Sequence, residues 1–183
     1  MSESMKGEYE VFKILRDMSI MGLNKFGITD GYDVRRFAQA NMANGDKLVL
    51  LNMIGSERIG RQGFWYKFMA DTGKTIRTDE WIDEQRWQFH FIKRMQKNDT
   101  VSTVTADDMC NYLLAWFNGP AILELKKQGI ANLPIDPHSI IVYNDDSDLY
   151  QRRVVFTMNL QVPKSFVWNV PDLSVVDVET YPI

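Results

Sequence analysis

QRWQFHFIKR, residues 85–94, sets Trp87, Phe89 and Phe91 on one side of a two-residue alternation and Gln88, His90 and Ile92 on the other. Period two is the signature of a strand. Upstream, FWYKFMA (64–70) reads as a second strand and DTG (71–73) as a turn, so the two runs make a hairpin. Between turn and return strand, KTIRTDEWIDEQ (74–85) is either an extension of that hairpin or a loop projecting from it. Within 28 positions fall Phe64, Trp65, Tyr66, Phe68, Trp81, Trp87, Phe89 and Phe91. Because Trp65 points away from Phe64 and Tyr66, both faces of the hairpin are expected to be covered, by helices on one side and a partner on the other.

The flanks supply the helices. From Glu8 to Met21, Val11, Ile14, Leu15, Met18 and Met21 recur at helical spacing, with an expected end near Gly22. A weaker pattern predicts a second helix over 33–42, through Val34, Phe37 and Ala38, stopped by Asn44–Gly45. KLVLLNMI (47–54) suits a strand covered on both faces, and SERIGRQG (56–63) reads as a loop because of Gly60 and Gly63. TADD (105–108) is a capping box opening a helix through Met109, Tyr112, Leu113, Trp116 and Phe117. Gly119, in a left-handed conformation, and Pro120 end it. AILELKKQG (121–129) predicts a short further helix. SIIVYN (139–144), the acidic turn DDSD (145–148) and QRRVVFTMNLQV (151–162) form a closing hairpin. The fold class is therefore α+β: a mixed, mostly antiparallel sheet with a long hairpin and two to three helices. It is organised as one domain, with a helical region over 1–44 packed on a core over 45–162, and a C-terminal arm over 163–183 that lies on the same subunit or a neighbour.

Bulk chemistry narrows the function. With 45% hydrophobic and 25% charged residues the chain is of ordinary globular composition. A net charge of -3 with dispersed lysines and arginines gives no footprint for a phosphate backbone. No apolar run reaches the length of a membrane span, the first residues lack a signal-peptide pattern, and a lone Cys110 agrees with a reducing cytoplasm.

Catalytic sets are sparse. His90 and His138 do not make the paired spacing of a zinc site with Cys110, and a buried structural role outweighs a reactive one for both Cys110 and His90. NDDSD (144–148) offers oxygen ligands yet lacks the glycine and distal glutamate of a calcium loop, so an exposed turn is the stronger reading. GSERIGRQG (55–63) matches neither phosphate-binding fingerprint, although Arg58 and Arg61 can meet an acidic partner. No cofactor or metal is expected, and no enzyme activity.

The strand RWQFHFIKR (86–94), the helix TADDMCNYLLAWFNG (105–119) and the strand from Arg152 and Arg153 together resemble the neck or tail-terminator family of tailed bacteriophages, over roughly residues 45–162. That resemblance implies a tail-terminator-like domain, made in the host cytoplasm and carried in the virion. There it assembles into a ring, hexameric in the family, that ends the tail tube and joins it to head-connector or neck proteins, with the sheath as a further neighbour. DNA only passes through the lumen, and no membrane is involved. On this basis the subunit or partner interface is expected at Arg58, Arg61, Trp65, Ile76, Trp81, Ile82, Arg86 and Arg152, with 71–81 as a docking loop. The turn at Asp145, Asp146 and Asp148 is expected to face the lumen, where negative charge lets DNA slide. Other readings stay open: a different tail-completion, connector or baseplate adaptor protein, a small enzyme, or a cytoplasmic adaptor taking a peptide on a sheet edge, which predicts a monomer.

Overall fold

The structure is a computed structural model that describes residues 6–42, 47–93, 104–133, 135, 139–144 and 150–170. It is α+β. Helix α1 (Glu8–Lys25) is followed by strand β1 (Tyr32–Arg36), a short 3-10 segment (Phe37–Met42) and two long strands, β2 (Lys47–Met69) and β3 (Lys74–Lys93). Helices α2 (Ala106–Phe117) and α3 (Pro120–Lys127) come next, then β4 (Ala131–Asn132), β5 (Ser139–Asn144) and β6 (Tyr150–Val170). One mixed sheet runs β1-β2-β3-β6-β4, with β5 also paired to β6. Among the described strands only β1 with β2 is parallel.

The β2–β3 hairpin is twice as long as its aromatic core. SERIGRQG is not a loop: it lies within β2, and two register shifts, at Met53/Gly55 and Ile59/Gly63, absorb its irregularity. Gly60, at φ 75°, occupies the second of these bulges, where a left-handed residue is admitted without a side-chain clash. KTIRTDEWIDEQ is likewise regular strand, pairing with β2 on one side and β6 on the other. The loop expected over 71–81 is therefore strand except for the turn at 70–73.

Three other expectations change. Residues 33–42 form β1 and the 3-10 segment, not a helix, because residues 47–51 offer a parallel ladder to 32–36. The C-terminal arm does not begin at Pro163: β6 continues to Val170, pairing through Ile82↔Pro163 to Thr75↔Val170. Proline is tolerated there because β4 pairs with β6 no further along than Gln161, leaving that side of β6 unpaired beyond it among the described residues. Gly119 is not left-handed, at φ -132°; it caps the start of α3, and Pro120 fills the first helical position.

Helix α1 passes Gly22 to reach Lys25, for a reason of packing. A Cβ on Gly22 would stand 2.8 Å from Leu113 and Trp116 of α2, so glycine allows the two helices to approach closely. The capping box forms as expected, with Asp108 N–H donating to Thr105 Oγ1 at 3.1 Å and Thr105 N–H to Asp108 Oδ2 at 2.8 Å. The Thr105 N–H and, after it, the Thr105 hydroxyl at 2.7 Å both donate to the Asp108 carboxylate and hold it below its ordinary value.

Helices α1, α2 and α3 all lie on one face of the sheet. Beneath them Val49, Leu51, Trp87, Phe89, Phe91, Phe156 and Met158 form the main core, with Phe89 stacked on Phe156 and edge-on to Phe117. On the opposite face Phe37 packs over Leu48, Leu50 and Ile92. His90 is buried there, 4.8 Å from the Phe37 ring, and burial with the Arg153 charge lowers its pKa to about 4.

Candidate docking surface

Opposed residues of an antiparallel pair share a face, so the register states what each strand contributes. The odd residues of β3 and the even residues of β6 that lie under the helices continue past Asp83 and Val162 onto a three-stranded ribbon of β2, β3 and β6. Its rows on that face are Phe64–Asp79–Phe166, Tyr66–Arg77–Trp168 and Phe68–Thr75–Val170. No helix of the described residues reaches them. Phe64 is 60% exposed, Tyr66 51%, Phe68 65%, Phe166 38% and Trp168 51%. At 150–250 Å² per aromatic side chain, these five present roughly 500 Å² of mostly apolar surface. That is at the upper end for a lone patch on a monomer and about two-thirds of one partner's share of a standard interface.

The polar centre of this face is closed on itself. Asp79, only 6% exposed, accepts from Arg77 Nε at Oδ1 (2.7 Å) and from Trp168 Nε1 at Oδ2 (2.9 Å). Arg77 in turn lies 4.9 Å from the Phe64 centroid and 6.0 Å from that of Tyr66. The hydrogen bond with Asp79 raises the guanidinium above its ordinary pKa. A second copy of the motif sits nearer the body, where Arg58 stacks on Trp81 at 4.4 Å and Trp81 Nε1 donates to Asp83 at 2.9 Å. Because the carboxylate acceptors already have donors, covering this face with an apolar partner strands few polar groups.

The expected interface residues do not form one patch. Arg58 and Trp81 lie on the ribbon's aromatic face, whereas Trp65, Ile76, Ile82 and Arg86 lie on the reverse, since strand alternation separates them. Arg152 pairs with Val142 in the β5–β6 ladder and Arg61 falls at the β2 bulge; their side chains, like the turn at 145–148, lie outside the described residues. Phe166, Trp168, Arg77 and Asp79 were not anticipated. For Phe166 and Trp168 the signal was present in SFVWNV (165–170), whose alternation continues that of 154–162 past Pro163.

Groups with reactive chemistry sit elsewhere. Cys110 is buried in α2, its thiol pushed up to about 12 by burial and the nearby Asp107. Among the described residues no cluster of His, Cys, Asp or Glu is arranged to hold a metal, and no helix is long and apolar enough to cross a membrane. No family model matches the chain, and no curated protein matches it in sequence.

Proposed function

We propose that this chain is a structural assembly protein of a tailed bacteriophage, a subunit of a neck or tail-terminator ring in which the ribbon's aromatic face seats against a neighbouring copy. The observation that carries the reading is that face: five exposed aromatic side chains around an Arg–Asp–Trp cluster whose polar groups are already satisfied. Aromatics and arginine are the usual anchors of protein interfaces, and a heterologous ring places such a patch on every subunit. The resemblance noted above supplies the setting: a ring, six-fold in that family, between tail tube and head connector.

Light scattering across a concentration series, followed by negative-stain imaging, tests it. Closed rings that fall apart when Phe68 and Trp168 are both changed to serine are the expected result. Rings unaffected by those changes remove the ribbon face from the interface. A second reading, an adaptor that takes an extended peptide, has its own observation: β1 covers β2 only over Lys47–Leu51, leaving the rest of that edge unpaired among the described residues. A mass fixed at the monomer, with a peptide strand bound along β2, favours it.

A further inference from the structure

The ribbon's reverse face differs from its aromatic face in charge. Strand alternation gives the reverse the rows Trp65–Thr78–Val167, Gly63–Glu80–Ser165, Ile59–Ile82–Pro163 and Glu57–Glu84–Gln161. Trp65, Ile82 and Val167 are exposed there, with the helices on the other side of the sheet. Glu57 and Glu80 are exposed and Glu84 is half-buried; among the described residues none of the three has a cation within ion-pair distance. Glu57 stands directly opposite Glu84 in the ladder. Like charges so placed repel, and an incoming cation relieves them. The cations of this face lie outside that stretch, Lys67 and Lys74 by the turn at 70–73 and Arg86 toward the body.

Unpaired cations lie on the other side. Toward the body the aromatic face runs into a cleft of about 890 Å³ below the end of α3, lined by Lys6, Trp81 and Lys164. Lys164 is 9% exposed and its Nζ donates to the Lys6 carbonyl, while Arg58 stacks on Trp81. Among the described residues Lys6, Arg58 and Lys164 have no carboxylate within ion-pair distance, whereas Lys127 is paired with Glu124. A nearly buried ammonium without a counter-charge is costly, and a carboxylate from a partner offsets that cost.

We infer that the reverse face of one copy is the seat for the aromatic face of the next, with Glu57, Glu80 and Glu84 meeting Arg58, Lys6 and Lys164. On both faces the apolar side chains lie nearer the turn and these charges nearer the body, so two ribbons laid in the same direction match along their length. Aromatic face on aromatic face would instead bring the cations together and leave the carboxylates unanswered. Three strands about 4.8 Å apart over Lys74–Asp83 give each face a footprint of roughly 500 Å². Two such faces bury about 1,000 Å² in total, which reaches what a specific interface needs. The two faces are then the unlike patches of a heterologous ring. The inference rests on the self-assembly reading above and names the surface that receives the aromatic face.

The test is charge reversal with mixing, in the full-length chain. Lys6→Glu with Arg58→Glu makes the aromatic side acidic, and Glu57→Lys with Glu80→Lys makes the reverse side basic. Each double variant alone sets like charge on like and is expected to weaken self-association about tenfold or more by light scattering, with circular dichroism showing both folded. Mixed in equal amounts they are expected to recover to within about threefold of the wild type, because in an alternating ring every contact again joins unlike charges. A second pair adds no charge and decides alone if either reversal fails to fold. Trp65→Ser with Val167→Ser, mixed with Phe68→Ser with Trp168→Ser, is expected to give one-to-one dimers that grow no further, since each dimer has one intact contact and two spoiled faces outward. Glutamate reversals that associate like the wild type, loss without recovery on mixing, or no dimer from the serine pair overturns the inference. If Phe68→Ser with Trp168→Ser still dissolves the rings in that case, the aromatic face remains an interface and seats on some other surface. A wild type that stays monomeric overturns this inference and the ring reading together.

Discussion

The two halves of the β2–β3 hairpin are built from the same strands, in the same sheet, with aromatic residues on the same register face, and they meet opposite fates. Phe89 and Phe91 are sealed under α1 and α2, whereas Phe64, Tyr66 and Phe68 face outward. What separates them is coverage. The described helices end over the body, and nothing in the strands' own alternation marks where that coverage stops. An aromatic strand therefore signals a surface that something covers; whether the covering element belongs to the same chain is settled by tertiary packing.

The contrast is sharpest at matched substitutions. Phe89→Ala removes a ring stacked on Phe156 and edge-on to Phe117, and is expected to cost about 3–5 kcal/mol in denaturant unfolding. A comparable loss from Phe64→Ala would break the comparison by showing that the ribbon face is core. His90 gives the next largest effect. Its folded pKa of about 4 lies below the usual 6.5, so between those values the unfolded chain binds a proton that the folded chain refuses. Stability is expected to be full above about pH 6.5 and to fall as pH drops toward 4, by about 3 kcal/mol at most. His90→Phe is expected to flatten that slope in melts taken across the range. An unchanged slope assigns the acid sensitivity to other groups.

Helix packing over the body is tested by Gly22→Ala. The new Cβ would press on Leu113 and Trp116, and a loss of about 1–3 kcal/mol is expected despite alanine's better helix propensity. A gain in melting temperature would mean that α1 and α2 separate freely, and that the body is less tightly covered than the ribbon contrast requires.

Much of the body was legible because its signals are local. The Trp87–Phe89–Phe91 alternation and the Thr105–Asp108 cap each sit within a few residues, and both stand in the structure as read. The ribbon was not, because its regularity comes from distant partners. Gly60 and Pro163 look like strand breakers until a bulge and an unpaired edge accommodate them. The cluster at the centre of the ribbon's aromatic face joins Asp79 to Trp168 across 89 positions, a contact that no local pattern announces. Candidate residues chosen from composition, such as Trp65 and Trp81, were accordingly divided between two faces by alternation alone.

The smallest expected effect on stability carries the most about function. Phe68→Ser truncates the most exposed ring of the ribbon, opposite Thr75, and is expected to shift unfolding by no more than about 0.5 kcal/mol. In the body, a change that leaves stability alone leaves everything alone. On the ribbon the same neutrality should coexist with weakened self-association, because a ring that buries little within its own chain contributes mainly when another surface is laid on it. Unfolding and light scattering on one sample of Phe68→Ser separate the two quantities: unchanged stability with reduced mass marks an interface, and unchanged values of both mark a face that no copy of this chain covers.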